Sequence, residues 1–324
     1  MILTKTPLRV SFLGGGTDFP WFFDDHGGAV ISTTINRYIY ISALRSYDEK
    51  TTYLKYSNLE TVTSHHEISH PIFRSVLADY GAPPTDWSVM ADIPAGNGLA
   101  SSSAFTVGLI KTVHGVLGKE ISAHELALEA ARVELDLLGE PIGLQDQFAS
   151  AYGGLNLFYF QRSRTVVVKP LNNQQVPFPF DLVLVKVGAE NRNASLFTKA
   201  QHSYVLDNPD SINDLINLRD LTTEAAEQIE KDISKLAAYT RAGWELKLKT
   251  NPSANSEAIS ESLAIALGAG AEAGKLVGAG GSGFLLLLVD PDKTETLMAI
   301  FRKREQKIFK VQLDQLGSQV VEHE

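Results

Sequence analysis

Glycine clusters mark three places in this sequence where an extended segment must turn sharply. Leu8, Val10 and Phe12 alternate with Arg9 and Ser11 before the run Gly14-Gly15-Gly16, the period of a half-buried strand that stops in a tight turn. Trp87, Val89, Ala91 and Ile93 alternate in the same way ahead of Pro94, Gly96 and Gly98. The glycine-rich stretch 274–283 precedes the apolar run Phe284 to Val289, which reads as a buried strand. Such a chain builds sheets whose strands end in turns that favour glycine, and Arg9 falls on the face of its strand opposite Leu8 and Val10.

Helical spacing lies between the strands. Ile72, Phe73, Val76, Leu77 and Tyr80 predict a helix over 71–80 that Gly81 stops. A second helix is expected over 101–117. A third starts at Ser122, where Ser122 and Glu125 form a capping box, and ends at Gly139. Residues 208–249 are mostly helical, with Leu215, Leu218, Leu221, Ala225, Ile229, Ile233 and Leu236 on one face; a helix from about 293 and a strand over 310–313 close the chain. At 324 residues there is enough chain for two cores, and strands and helices mix without repeats. The expectation is an α+β protein with domains 1–177 and 178–324.

Composition narrows the function. The formal net charge of −9 argues against nucleic acid as a partner, which draws on clustered Lys and Arg. With no cysteine, disulfides and Cys-based zinc sites are excluded and a cytoplasmic location is expected. The first residues carry no signal-peptide pattern, and no apolar run approaches the roughly 20 residues of a membrane helix, so no membrane partner is expected. The eight histidines show no metal-binding spacing, and His65-His66 reads as loop.

The segment Pro94-Ala95-Gly96-Asn97-Gly98-Leu99-Ala100-Ser101-Ser102-Ser103 joins a predicted strand to a predicted helix. Glycine lets a phosphate approach the backbone, the helix N-terminus is positive, and serine hydroxyls bind phosphate or metal. The same residues also suit a flexible turn before a serine-capped helix. No lysine precedes the serines, so it is not a Walker loop.

This segment resembles the second motif of the GHMP kinases (galactokinase, homoserine kinase, mevalonate kinase, phosphomevalonate kinase). Thr6-Pro7-Leu8-Arg9-Val10-Ser11-Phe12-Leu13-Gly14-Gly15-Gly16-Thr17-Asp18 resembles their first, with Gly15-Gly16 in place of the Glu-His common in galactokinases. Val277-Gly278-Ala279-Gly280-Gly281-Ser282-Gly283 resembles their third. With Ile142-Gly143-Leu144-Gln145-Asp146-Gln147, Trp244-Glu245-Leu246-Lys247 and Gly274-Lys275-Leu276, the pattern is similar to D-glycero-D-manno-heptose 7-phosphate kinases. Ser282 departs from it, standing where a fourth glycine is common; serine there is poorly tolerated if the position needs positive φ.

The resemblance implies a two-lobed GHMP kinase fold, with an N-terminal ribosomal S5 domain 2-like lobe and a C-terminal ferredoxin-like lobe with extra helices. It implies ATP and Mg2+ as cofactors, a sugar phosphate as acceptor, and phosphorylation at the anomeric C1 hydroxyl. Asp146 matches the catalytic aspartate and Arg9 the basic residue of the first strand; taken alone, Asp146 is also an ordinary helix-start residue. Gly96, Gly98, Leu99, Ala100, Ser101, Ser102 and Ser103 match the ATP phosphate loop. Ser102 and Glu134 match the metal ligands, and Gly15, Gly16, Thr17, Asp18, Gly280 and Gly281 match the acceptor site. For the acceptor's phosphate the sequence offers Arg37, Lys186, Arg192, Lys247 and Lys275 without choosing among them. Three alternatives stay open: another sugar such as fucose or galactose, a silent relative that binds sugar or nucleotide, and, disfavoured by the Thr17-Asp18 turn, the decarboxylase branch. A homodimer is compatible with each.

Overall fold

A computed structural model describes residues 1–171, 177–188, 194–278 and 280–323; Arg192 and Ala279 of the expectations above lie outside the described residues. The first part of the chain runs β1 (Ile2–Leu13), α1 (Pro20–His26), β2 (Gly28–Arg45), β3 (Thr52–Lys55), β4 (Leu59–Val62), α2 (Pro71–Asp79), β5 (Thr85–Ala91), α3 (Ser101–Val116) and α4 (Ala123–Ala131). A π-helical turn, Arg132–Leu137, then leads to α5 (Gln145–Tyr152), β6 (Leu155–Gln161) and β7 (Thr165–Pro170). The second part holds β8 (Asp181–Val187), α6 (Ala194–Asp207), α7 (Asp210–Lys231), α8 (Leu236–Thr250), α9 (Glu257–Gly268), β9 (Ala271–Leu276), β10 (Gly283–Val289), α10 (Thr294–Lys303) and β11 (Ile308–Val311). Two short strands, β12 (Leu313–Asp314) and β13 (Gln319–His323), end it.

The strands form two sheets. The larger has nine strands centred on the long β2, whose first half pairs with β6 and second half with β5, while β1 pairs with it between Ile31 and Ala43. Helix α3 lies on this sheet at close range: a Cβ at Gly108 would stand 2.7 Å from Thr6 Oγ1, and Thr4 and Thr112 meet hydroxyl to hydroxyl at 2.7 Å. The smaller sheet is antiparallel in the order β11-β8-β10-β9, the arrangement of a split βαβ unit with its extra helices inserted after the first strand. Its central strands β8 and β10 are buried on both faces. Leu182 and Leu184 join the main core with Phe12 and Leu218, while Val183, Val185 and Val187 pack with Ile259, Leu297 and Phe301. That accounts for the unbroken apolar run in β10.

The fold is two-lobed α+β, as the sequence implies, but the division at 177/178 needs correcting. β12 and β13 return to the larger sheet, β13 pairing with β1 and β12 with β2, so the smaller lobe is an insertion closed at both ends by the larger. The helix expected over 208–249 is broken near Asp232, whose φ of −155° is extended and whose carboxylate takes the Ser234 N–H. His65–Glu67 is a 3-10 turn held by a capping box from Ser64.

Candidate active site

A cleft of about 310 Å³ opens between the two lobes. The larger lobe contributes Arg9 and Ser11 from β1, Gly15, Gly16 and Asp18 from the turn after it, Ser101 to Ser103 from the start of α3, Glu134 and Asp146. The smaller lobe contributes Gln201 from α6, Lys247 from α8 and Lys275 from β9.

Arg9 and Asp146 form the floor. The Arg9 Nε donates to Asp146 Oδ1 at 2.7 Å and Nη2 reaches the same oxygen at 2.6 Å, while Nη1 donates to the Gly98 carbonyl at 3.0 Å. One guanidinium therefore ties the aspartate at the head of α5 to the glycine loop. Burial pushes the Asp146 carboxyl above the usual carboxylate range and the nearby Asp18 adds to this, while Arg9 opposes them. About 24% of the Asp146 side chain remains open to the cleft, against 5% for Arg9, so the carboxylate is the member of the pair a substrate can reach.

The loop before α3 is built to receive an anion. Gly96 and Gly98 have φ of 80° and 81°, and Ala100 caps the helix in the left-handed conformation with no side-chain hydrogen bond. The serines do not cap it either. Ser101 Oγ is buried with no partner among the described residues, Ser102 Oγ lies 3.0 Å from Glu134 Oε1, and Ser103 Oγ accepts from Gln147 Nε2 at 3.3 Å. The first N–H groups of an α-helix have no intrahelical acceptor, so here they remain available with the helix dipole behind them. Lys186 steadies the loop from the smaller lobe, donating to Asn97 Oδ1 at 2.5 Å.

Glu134 is only 1% exposed, presented by the π-helical turn toward α3. Its carboxylate accepts from Ser102 and, at 2.6 Å, from Gln147 Nε2, yet burial outweighs these bonds and pushes its pKa up to about 7. The paired oxygens of Ser102 and Glu134 suit a hard cation such as Mg2+, which takes one or two protein oxygens and keeps several waters. Among the described residues no group of three or more His, Asp or Glu side chains forms a denser site.

On the acceptor side Asp18, 2% exposed, takes the Gly16 N–H at 2.9 Å on Oδ1 and the Gln145 Nε2 at 3.0 Å on Oδ2. Gly143 leaves room for it, since a Cβ there would stand 1.9 Å from Asp18 Oδ2. Lys275 lies 3.5 Å from Ser11 Oγ; burial, with Lys247 and Arg9 nearby, pulls its pKa down to about 7.

Several expected contacts are not made. The Thr17 hydroxyl, fully buried, lies 2.9 Å from both the Gly14 and Ala29 carbonyl oxygens and takes the Ala29 N–H, so it latches the turn and does not face the cleft. Gly280 and Gly281 pack instead against Ala254 and the Phe197 ring, and Gly278 is the member of that segment lining the cleft. The Leu99 side chain is buried away from it, its carbonyl accepting the Arg9 N–H at 3.4 Å. Ser282 is free of the feared strain: Gly280, Gly281 and Gly283 take positive φ and Ser282 does not. Of the cations proposed for the acceptor's phosphate, Lys247 and Lys275 line the cleft, while Arg37 donates to the Asn36 and Lys310 carbonyls outside it. Sequence reasoning gave no role to Gln145 and Gln147, although they flank Asp146, and it missed Gln201, which lies on a helix whose pattern gave no signal.

Residues 68–154, which hold the glycine loop, Glu134 and Asp146, match the family described as GHMP kinases N terminal domain. The fold is a GHMP kinase fold. The chain is 27% identical over 322 residues to a D-glycero-alpha-D-manno-heptose 7-phosphate kinase of Campylobacter jejuni, covering 94% of each. It is 25% identical to a galactokinase of Pyrococcus furiosus, with 91% of each chain covered. Its fold matches the crystal structure of a D-glycero-D-manno-heptose 1-phosphate kinase from Bacteroides thetaiotaomicron with a TM-score of 0.78, 23% identity and 98% coverage of both chains. No described helix is long and apolar enough to cross a membrane.

Proposed function

We propose that this chain transfers the γ-phosphoryl group of ATP to the anomeric C1 hydroxyl of D-glycero-D-manno-heptose 7-phosphate, giving the 1,7-bisphosphate. The observation that carries the reading is the Arg9–Asp146 pair on the floor of a cleft with an uncapped helix N-terminus on one side and Asp18 on the other. The start of α3 holds the triphosphate through backbone N–H groups and Ser101 Oγ. Asp18 hydrogen-bonds the sugar hydroxyls and turns the anomeric oxygen toward Asp146. As that oxygen forms its bond to the γ-phosphorus and the bond from phosphorus to the ADP oxygen breaks, Asp146 accepts the hydroxyl proton. A carboxyl raised above the usual range is a better base for this than an ordinary aspartate, and Arg9 keeps it ionised and oriented. Arg9 and Lys275 add positive charge where the phosphoryl group crosses. Magnesium, held by Ser102 and Glu134, supplies neutralisation of the phosphate charge when bound. The absence of cysteine fits a reducing cytoplasm.

ADP release across hexoses, heptoses and their terminal phosphates, with products identified by phosphorus NMR, tests the reading. Heptose 7-phosphate is expected to give the largest kcat/KM, with a new anomeric phosphate signal. A higher value for a free hexose or free heptose overturns the acceptor, and no ADP release with any sugar overturns the kinase.

A further inference from the structure

The mechanism leaves Gln147 without a role, although it is fully buried beside the residues that would hold magnesium. It follows Asp146 on α5, and successive residues on a helix point about 100° apart. Asp146 therefore opens on the cleft while Gln147 turns inward, to the junction of α3, α5 and the π-helical turn. Its Nε2 donates to Glu134 Oε2 at 2.6 Å and to Ser103 Oγ at 3.3 Å. The amide orientation is set by chemistry: an ionised carboxylate only accepts, so the N–H2 faces Glu134 and the carbonyl faces away. That carbonyl oxygen, Oε1, is buried with no hydrogen-bond partner among the described residues. Both donors are used and the acceptor is left empty. Packing alone gives no reason for this, since an unpaired buried acceptor is a cost that an apolar side chain of the same size avoids.

We propose that Gln147 is a positioning residue: it fixes the Glu134 carboxylate so that Oε1 faces Ser102 and a divalent cation, and it ties that ligand to the helix that carries Asp146. The assignment rests on the reading of Ser102 and Glu134 as the magnesium ligands. Glu134 Oε2 is occupied by the Gln147 amide and Oε1 lies 3.0 Å from Ser102 Oγ, so the two carboxylate oxygens have separate tasks. The second N–H of the amide holds Ser103, the chain neighbour of Ser102. One side chain thus spans the ligand on the π-helical turn and the residue beside the ligand on α3. A neutral donor suits this position. A lysine or arginine there would offset the charge of the carboxylate and weaken its hold on a cation, whereas an amide orients it and leaves the charge in place. Because Asp146 and Gln147 are consecutive, a displacement at the start of α5 moves the base and pulls on the metal ligand together.

The experiment follows the melting temperature of the full chain against magnesium concentration, from chelator upward and without nucleotide, for the wild type, Glu134→Gln, Gln147→Met and Gln147→Asn. Gln147→Met keeps the length of the side chain and removes both donors. Gln147→Asn is one methylene shorter and withdraws the amide from Glu134, so it serves if the methionine variant fails to fold. Magnesium is expected to raise the wild-type melting temperature and to leave Glu134→Gln unchanged. The folded Gln147 variant is expected to need at least about tenfold more magnesium for half of the rise, the usual loss when an outer partner of a metal ligand is removed. A role in packing alone lowers the melting temperature in chelator and leaves that midpoint where it is. A midpoint within threefold of the wild type therefore overturns the positioning role and leaves the metal reading standing. A wild type that magnesium does not stabilise, or a Glu134→Gln that it stabilises equally, overturns the metal reading and the positioning role with it.

Discussion

Asp146 is the residue at which chemistry and folding can be separated. Asparagine keeps its size and can still accept from Arg9, but it cannot take a proton. If Asp146 is the base, Asp146→Asn lowers kcat by roughly 10²–10⁴-fold at saturating ATP and sugar, with KM values changing far less. Phosphoryl transfer has a loose transition state, so orientation shares the work and the loss falls toward the lower end of that range. A folded variant that keeps more than about a third of wild-type kcat returns Asp146 to a helix-start residue. At this scale the sequence was informative wherever a residue is confined by its own backbone or held in a local motif. The turns at Gly96 and Gly98 could be read from their own sequence, whereas Arg9 and Asp146 were singled out only through the resemblance to GHMP kinases. Thr17 and Gly281 were misplaced because their roles are set by Ala29 and Phe197, far along the chain, and nothing in the local pattern of either motif reports those contacts.

Elements matter through how they present single atoms, and the π-helical turn after α4 is the clearest case. Periodicity predicted one helix from Ser122 to Gly139 and its capping box formed, but the last turn widens over Arg132–Leu137 and holds Glu134 against α3 and α5. A 3.6-residue pattern cannot announce a π turn, because the apolar face around it is nearly unchanged. The turn imposes a measurable cost. Glu134 has an ordinary pKa of 4.5 and about 7 in the fold. Below the lower value both folded and unfolded chains are protonated and stability is full. Between the two values the unfolded chain ionises first, so stability falls as pH rises, and above the upper value the loss is complete. At about 1.4 kcal/mol per pH unit the loss is on the order of 3 kcal/mol. In chelator, Glu134→Gln should therefore melt progressively higher than wild type from pH 4.5 to 7, with a constant gap beyond. Magnesium should then raise the wild-type melting temperature and leave the variant's unchanged. A gap that does not vary with pH shows that Glu134 is not held protonated by its burial.

At the level of the molecule, the cleft exists because the smaller lobe is inserted into the larger. The chain leaves the nine-stranded sheet after β7, builds the four-stranded sheet and its helices, and returns as β12 and β13. The expected division after 177 leaves out the return of the chain to the larger sheet, because two short terminal strands carry little periodic signal. Their placement rests on contacts distant in sequence. The Asp314 carbonyl takes the Thr34 hydroxyl at 2.8 Å and the Gly154 N–H at 2.9 Å, Tyr38 donates to the Asp314 carboxylate at 2.6 Å, and Ser318 N–H donates to the Ser150 carbonyl at 3.0 Å. Ser150 and Ala151 belong to α5, the helix that carries Asp146, and a Cβ at Gly317 would stand 2.0 Å from the Ala151 carbonyl oxygen. The tail thus packs against the helix that carries Asp146. A chain ending at 312 should lose cooperative melting, because β1 becomes an open edge and the neighbours of α5 lose their partners. If that chain does not fold, Gly317→Ala gives the milder test: the new methyl meets backbone, not a movable side chain, so the tail must lift. Overpacking of this kind costs about 1–3 kcal/mol, and here it should also lower kcat, since α5 shifts with its support. Loss of stability with unchanged kcat separates the tail from the site; loss of both, with ATP and acceptor saturating, makes the last strands part of what holds Asp146 in place.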